Sequence, residues 1–127
     1  MISLIRGTVE QIGKNTLVVM TAGGVGYEVY CRVQSAECRI GDTIALHTYL
    51  KVSDQAMELY GFETAEEREF FELLMTVSGV GPKAAMKVLS LGTLSEIQSA
   101  IARGDVKYLT AVQGMGTKTA ERLVVEL

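Results

Sequence analysis

Short runs in which apolar and polar residues alternate fill the first half of the chain. The runs are rich in Val, Ile, Thr and Tyr: LIRGTVEQIG, NTLVVMT, GYEVYCR, TIALHTYLKV and MELYGF. In the fourth run every second residue is the better candidate for burial: Ile44, Leu46, Thr48 and Leu50. A period of two is typical of half-buried β-strands, so the pattern predicts five strands.

Turn residues separate these runs. The stretch Gly13-Lys14-Asn15 suits a tight hairpin after the first run, and three glycines after the second can supply positive φ angles: Gly23, Gly24 and Gly26. The longer segment VQSAECRIGD follows the third run and can hold a short helical turn. Five strands with an insertion after the third predict a small closed barrel of the OB type.

A helical pattern begins at Thr64. Thr64 with Glu67, and Thr93 with Glu96, form capping boxes that open helices, and Gly104 is placed to end the second of these helices. We predict helices over roughly 65–76, 82–90, 94–103, 105–111 and 117–127. The predicted fold is α+β, with a five-stranded OB-fold barrel domain over residues 1–63 and an all-α domain over residues 64–127.

Charge is distributed unevenly, although the formal net charge is only −3. Residues 63–72 carry five Glu and one Arg, whereas residues 73–127 carry six Lys or Arg and four Asp or Glu. The last segment therefore has a positive balance, which permits a polyanionic partner there.

Several classes of protein do not fit the sequence. No apolar run reaches the roughly 18–20 residues of a membrane span, and the alternating start is not that of a signal peptide. Cys31 and Cys38 form no CxxC motif, so we expect small buried or half-buried residues in a reducing compartment. His47 is the single histidine and has no second ligand at a metal spacing. We expect no metal site, no cofactor and no His-based catalysis.

Two stretches of the helical half are nearly the same: VSGVGPKAA at Val77–Ala85 and VQGMGTKTA at Val112–Ala120. An offset of 35 residues aligns six identical pairs: Leu74/Leu109, Val77/Val112, Gly79/Gly114, Gly81/Gly116, Lys83/Lys118 and Ala85/Ala120. Each unit has the pattern of a helix, a glycine turn and a second helix. The glycines leave backbone N–H groups open, the second helix begins with unpaired donors, and the lysine adds a positive charge. The matching ligand is a phosphate or a phosphodiester backbone.

Nucleotide-binding loops fit these turns less well. A Walker loop needs Gly immediately before Lys, where Pro82 and Thr117 stand here. The GGVG stretch at Gly23–Gly26 precedes a strand and is a hairpin turn. One glycine turn before a helix is usually structural. The duplication with a shared Lys favours a pair of turns that holds both backbones across a groove.

The pattern hydrophobic-x-GxG-x-K, in two copies, is similar to the helix-hairpin-helix DNA-binding motif. Together with the β half it resembles the RuvA family, which binds Holliday junctions during bacterial branch migration. The resemblance runs from Met1 to Leu127 and is carried by GGVGYEV, ELYGFET, GVGPKAA and GMGTKTAERLVVEL.

The resemblance implies subunits arranged as a four-fold plate, in one tetramer or in an octamer of two tetramers. An open four-way junction lies on the plate, and each subunit holds one arm through minor-groove phosphates, without reading bases. The implied backbone contacts are Gly79, Val80, Gly81, Lys83, Gly114, Met115, Gly116, Thr117, Lys118 and Arg122. Thr117 stands where relatives are often basic. We expect it to be the N-cap of the last helix, with a hydroxyl that can bond a phosphate.

The resemblance also implies an acidic pin in KVSDQAM, between strands four and five. Asp54 matches one pin position, and Gln55 stands where some relatives have a second acid. A carboxylate near a phosphate costs about 1 kcal/mol at about 4 Å in water, so a ring of carboxylates would help strands to separate. With one carboxylate per subunit we expect a weaker effect.

By the same resemblance the protein is not itself an enzyme but the DNA-binding subunit of a helicase complex, cytoplasmic and associated with the bacterial nucleoid. The family continues into a third domain that engages the hexameric ATPase RuvB, and the resolvase RuvC joins the larger complex. Because the chain stops at Leu127, we expect a fragment that binds junctions and assembles without coupling to the motor.

Two other functions stay open. A helix-hairpin-helix glycosylase or nuclease would need a catalytic Lys or Asp in a pocket, or clustered carboxylates, and here the acids are scattered. A general OB and helix-hairpin-helix module of another repair protein would bind single strands or a protein partner through aromatic residues on a barrel face. The candidates are Tyr27, Tyr30, Tyr49 and Tyr60, although cross-strand packing also explains them.

Overall fold

The structure is a computed structural model that describes residues 1–31, 38–112 and 114–127. Within these ranges the strands are β1 (Leu4–Ile12), β2 (Thr16–Met20), β3 (Gly26–Cys31), β4 (Thr43–Val52) and β5 (Met57–Phe62). The helices are α1 (Ala65–Met75), α2 (Pro82–Leu89), α3 (Leu94–Ala102), α4 (Val106–Leu109) and α5 (Thr117–Glu126). The predicted α+β class and all ten predicted elements are confirmed, and only α4 is clearly shorter than expected.

The chain divides into two compact units, Met1–Arg68 and Glu69–Leu127. This division falls within α1, whereas the predicted domain boundary at residues 63 and 64 lies just before that helix. The boundary stays a prediction.

The first unit is a closed barrel with the strand order β1-β2-β3-β5-β4. The β3–β5 pair is parallel and the other pairs are antiparallel. In β4 the predicted inward set includes Leu46 and Thr48, both 2% exposed. Thr48 is a buried polar residue whose hydroxyl donates to the Ile2 carbonyl at 2.7 Å, which satisfies it. The barrel confirms the predicted OB-like fold.

Both cysteines belong to the apolar interior of the barrel. Cys31 is buried in its core, and Cys38 is half-buried and packs against that core. Burial raises the pKa of the Cys31 thiol to about 12, so this thiol stays protonated at neutral pH. Their predicted placement is confirmed.

The turns of the barrel agree in part with those expected from the sequence. The Gly13 N–H donates to the Thr16 carbonyl at 2.7 Å and closes the predicted first hairpin. Of the three glycines that can supply a positive φ in the next turn, Gly24 adopts one, at +87°, whereas Gly26 already begins β3. A short helical turn is predicted within VQSAECRIGD, and residues 33–37 of this segment lie outside the described residues.

Two of the candidate aromatic residues pack on each other. Tyr30 and Tyr60 face each other across the parallel β3–β5 pair, and their rings stack with centroids 5.4 Å apart. Tyr60 is 2% exposed, and burial raises the pKa of its hydroxyl to about 12. Tyr27 packs against the barrel core. Cross-strand and core packing therefore accounts for these rings without a nucleic-acid base.

Threonine side chains cap the starts of two helices, and a glycine follows the end of α3, as predicted. The Thr64 and Thr93 hydroxyls each accept a bond at 3.2 Å, from the N–H of Glu67 and of Glu96. Gly104 ends α3 with a φ of +71°. The apolar interior of the second unit includes Phe71, Leu74, Val88, Ile97, Ala100, Leu109 and Leu123. None of the described helices has the length and apolar character that crossing a membrane requires.

Candidate nucleic-acid interface

The first glycine turn joins α1 to α2 by a tight reversal. The Val80 N–H donates to the Val77 carbonyl at 3.1 Å. Gly79 within this turn has a φ of +92°, a left-handed conformation that costs a residue with a side chain about 1–2 kcal/mol. Gly81 is extended and is the N-cap of α2, so Pro82 takes a first-turn position where its missing N–H is not needed.

The second turn, between α4 and α5, repeats the first bond for bond. The Met115 N–H donates to the Val112 carbonyl, also at 3.1 Å. Gly114 has a φ of +88°, and Gly116 is the extended N-cap of α5. The offset of 35 residues therefore relates hydrogen bonds, left-handed glycines and helix starts as well as residue types.

Apolar side chains fix both turns to the interior. Val77 and Val80 are 1% and 6% exposed, and their counterparts Val112 and Met115 are 5% and 9% exposed. Sequence reasoning placed Val80 and Met115 among the backbone contacts. Their side chains are buried and their N–H groups donate within the turn. These two residues anchor the turns, and their predicted contact with a DNA backbone stays a prediction.

The outer surface of the turns is bare backbone. A Cβ atom built on Gly81, Gly114 or Gly116 would meet nothing within 4 Å. At Gly79 the same atom would lie 3.5 Å from the Thr119 hydroxyl, so the start of α5 lies beside the first turn. A ligand as small as a phosphate can reach the backbone at these glycines without a side chain in its way.

Basic side chains stand next to this open backbone. Lys83 and Lys118 occupy the second position of α2 and α5, and Arg122 follows Lys118 by one helical turn. All three are exposed. Within the described part of the chain none of them forms an ion pair with a carboxylate. The comparison of identical residues overlooked one further basic pair, because Lys87 and Arg122 are related by the same offset but differ in type.

Thr117 does not have the role predicted for it. The N-cap of α5 is Gly116, and Thr117 is the first helical residue, in the place that Pro82 has in α2. No side chain caps α5. The prediction of a threonine cap is wrong because the repeat fixes the extended residue one position earlier. A bond from its exposed hydroxyl to a phosphate stays a prediction.

The acidic loop is a closed turn between β4 and β5. The Ser53 N–H donates to the Ala56 carbonyl at 2.9 Å, and Asp54 and Gln55 are exposed at the tip. Val52 and Met57 pair across the hairpin and are 64% and 68% exposed. Sequence reasoning treated this apolar pair only as strand residues. The tip presents one carboxylate flanked by apolar side chains.

Comparison with known proteins gives both halves of the chain a family. Residues 1–61 match the model of the RuvA N terminal domain. Residues 71–127 match the model of the SAM-like helix-hairpin-helix tandem. The predicted duplication thus falls within a known tandem arrangement.

Curated relatives match the chain along its whole length. A protein of Thermoanaerobacter sp. (strain X514) is 40% identical over 129 residues, which cover 100% of this chain and 68% of the relative. The chain belongs to the RuvA family. The resemblance stated from the sequence is confirmed.

Other RuvA-family members are more similar still. The relatives from Chloroflexus aggregans and Roseiflexus sp. (strain RS-1) are 49% and 47% identical over 129 residues, covering 100% of this chain. All three relatives are named "Holliday junction branch migration complex subunit RuvA". The chain spans 66% and 65% of the length of the two more similar relatives, just under two thirds.

A side chain should cost more stability at the left-handed glycines than at the capping glycines. Gly114→Ala should lower the free energy of unfolding by about 1–2 kcal/mol, because its φ of +88° strains any L side chain although space is free. Gly116→Ala is the matched control, with the same open space and an ordinary φ of −78°. We expect the control to cost less than about 1 kcal/mol. Urea denaturation measures both, and equal losses would contradict the role given to the left-handed turn.

Proposed function

We propose that this chain is a non-catalytic DNA-binding scaffold that recognises four-way junctions by structure and not by sequence. The observation that carries the proposal is the duplicated turn, with two matched glycine backbones and a lysine at the same helical position in each. The name printed for the relatives, a subunit of a Holliday junction branch migration complex, supports the junction as the target.

Each hairpin would hold phosphates by three effects that act at one point. The first turn of α2 or α5 offers N–H groups that a helix cannot pair internally. The helix dipole favours negative charge at the same end. Lys83 or Lys118 adds a charge-assisted hydrogen bond, which is about twice as strong as a neutral one. Contacts to phosphates carry no sequence information, so binding through these groups would be independent of sequence.

Two hairpins side by side suit a duplex arm better than a single strand. The Gly79–Thr119 proximity brings the start of α5 to the first turn. We infer that one hairpin contacts each backbone across the minor groove. Because the affinity would come from a few placed cations and not from net charge, the formal charge of −3 does not oppose it.

The loop at Asp54 would act by repulsion. Its carboxylate is exposed at the tip of a closed turn, where it can approach the phosphates of a crossover. Gln55 beside it contributes no charge. We propose that Asp54 disfavours ordinary duplex and helps to keep the crossover open, with a smaller effect than two acids would give.

The wider assembly is proposed from the resemblance to the RuvA family, and the relatives' printed name supports only membership of a Holliday junction branch migration complex. We propose that copies of the chain form a homotetrameric plate, alone or as a pair of plates, in the bacterial cytoplasm at the nucleoid. The whole protein would work with the ATPase RuvB, and with RuvC in a larger complex. Hydrolysis of ATP would belong to the partner.

The lysine pair gives the first test of this function. The double variant Lys83→Ala, Lys118→Ala should bind a four-way junction roughly 100-fold or more weakly, because it removes two bonds to charged groups and each contributes about 1.5–3 kcal/mol. Lys14→Ala, Lys107→Ala removes the same charge from exposed positions outside the two duplicated glycine turns and should bind nearly normally. Gel-shift titration with a junction and a linear duplex of the same sequence measures both. Equal affinity of the unmodified protein for the two DNAs, or metal-dependent cleavage of either, would overturn the proposal.

The pin gives a separate test. Asp54→Asn should strengthen binding to linear duplex relative to junction, because it removes a repulsive charge without changing the size of the side chain. Glu10→Gln, on the exposed side of β1, is the charge-matched control. The ratio of the two dissociation constants is the readout. A ratio that stays the same in both variants would mean that the loop is only a turn.

A further inference from the structure

We propose that Lys87 is a second phosphate contact of the first hairpin, equivalent to Arg122 in the second hairpin. The proposal rests on the proposed function, since it extends the grip that each hairpin has on a DNA backbone. It gives each hairpin two cations where the identical residues alone gave one.

The helices after the two turns begin in the same way. The Ala85 N–H donates to the Gly81 carbonyl at 2.9 Å, and the Ala120 N–H donates to the Gly116 carbonyl at 3.1 Å. Ala85 and Ala120 are both 0% exposed. The first turn of each helix is therefore built on its capping glycine in the same geometry.

The rotation of the helices about their axes is also the same. Val88 and its counterpart Leu123 are both fully buried, at 0% exposure. Lys87 and Arg122 precede these buried residues by one position, and both are exposed. The two cations thus occupy equivalent places relative to their own turn and to the interior.

Within each hairpin the two cations share one face of the helix. Lys83 and Lys87 are four residues apart, as are Lys118 and Arg122. Four residues span about 6 Å along a helix, and one DNA strand carries a charge every 3.4 Å or so along its axis. Two neighbouring phosphates can therefore each meet a cation.

The helix dipole explains Lys87 alone but not the pair. Lys87 lies in the last turn of α2, where a cation is favoured by the negative end of the helix. Arg122 has the same offset from its turn but lies in the middle of α5 (Thr117–Glu126), where that effect has faded. What the two residues share is their position relative to the glycine turn.

The chain provides a matched control in Lys107. It is also an exposed lysine in the last turn of a helix, α4. Its counterpart at the offset of 35 residues is Glu72, so it has no place in the duplicated pattern. The general effect of removing one positive surface charge should be the same at Lys87 and Lys107, so a difference between the two variants reports a contact.

The test is the salt dependence of binding to a synthetic four-way junction. Each lost phosphate contact reduces the slope of log affinity against log salt by about 0.9, which changes the affinity ratio to the unmodified protein about 3-fold between 50 and 200 mM salt. We expect this change for Lys87→Ala and not for Lys107→Ala, and we expect Lys87→Arg to restore the slope. Thermal melts and stoichiometric titration correct each variant for its folded fraction, and a loss of folding alone leaves the slope unchanged.

The outcomes separate the two proposals. If Lys87→Ala keeps the slope of Lys107→Ala while Lys83→Ala and Lys118→Ala lower it, Lys87 is not a contact and the proposed function stands. If none of the four variants changes the slope, the phosphate grip itself is wrong. If Lys87→Ala lowers the slope and Lys87→Arg restores it, the second contact is established.

Discussion

The helical unit depends on one backbone constraint, a left-handed glycine held between two buried apolar residues. In the first turn Val77 and Val80 point into the interior, and the chain can return between them only if Gly79 adopts a positive φ. The same reversal that buries the valines pushes the glycine backbone outward. The burial of the apolar side chains and the exposure of the glycine backbone therefore result from the same turn, which is repeated at Gly114.

This constraint explains how an acidic chain can present a site for a polyanion. Negative charge is concentrated in residues 63–72, where acidic side chains also favour the start of α1. The cations Lys83 and Lys118 follow the two turns directly, although α5 also carries Glu121 and Glu126. Exposed charges farther apart than about 8 Å are largely screened at physiological salt, so the charges near the turns matter more than the net charge of the chain.

Much of the fold could be predicted because the residues of each strand and helix favour the structure that the segment adopts. Alternation predicted the five strands of the barrel, and the residues Thr93 and Gly104 predicted the start and end of α3. The predictions were wrong where a neighbouring residue determines the backbone conformation. Thr117 is a good cap by type, yet the extended conformation belongs to Gly116, because the repeat sets where α5 begins.

The site was predicted in outline and not in detail. Residue identity found the duplicated turns but could not show that the N–H groups of Val80 and Met115 are used within them, since that depends on three-dimensional hydrogen bonds. Identity also missed the pair of Lys87 and Arg122, which share charge and position but not type. Only the burial of Val88 and Leu123, which shows that α2 and α5 are rotated in the same way about their axes, reveals that Lys87 and Arg122 occupy equivalent positions.

Hydroxyl-radical footprinting of a four-way junction tests the central claim most directly. The claim is that each subunit grips one arm with two equivalent hairpins, one on each backbone. It predicts two separate protected patches on every arm, one per strand across the minor groove, with Lys83→Ala weakening one patch and Lys118→Ala weakening the other. A single patch on one strand of each arm, or the same loss of protection in both variants, would contradict it.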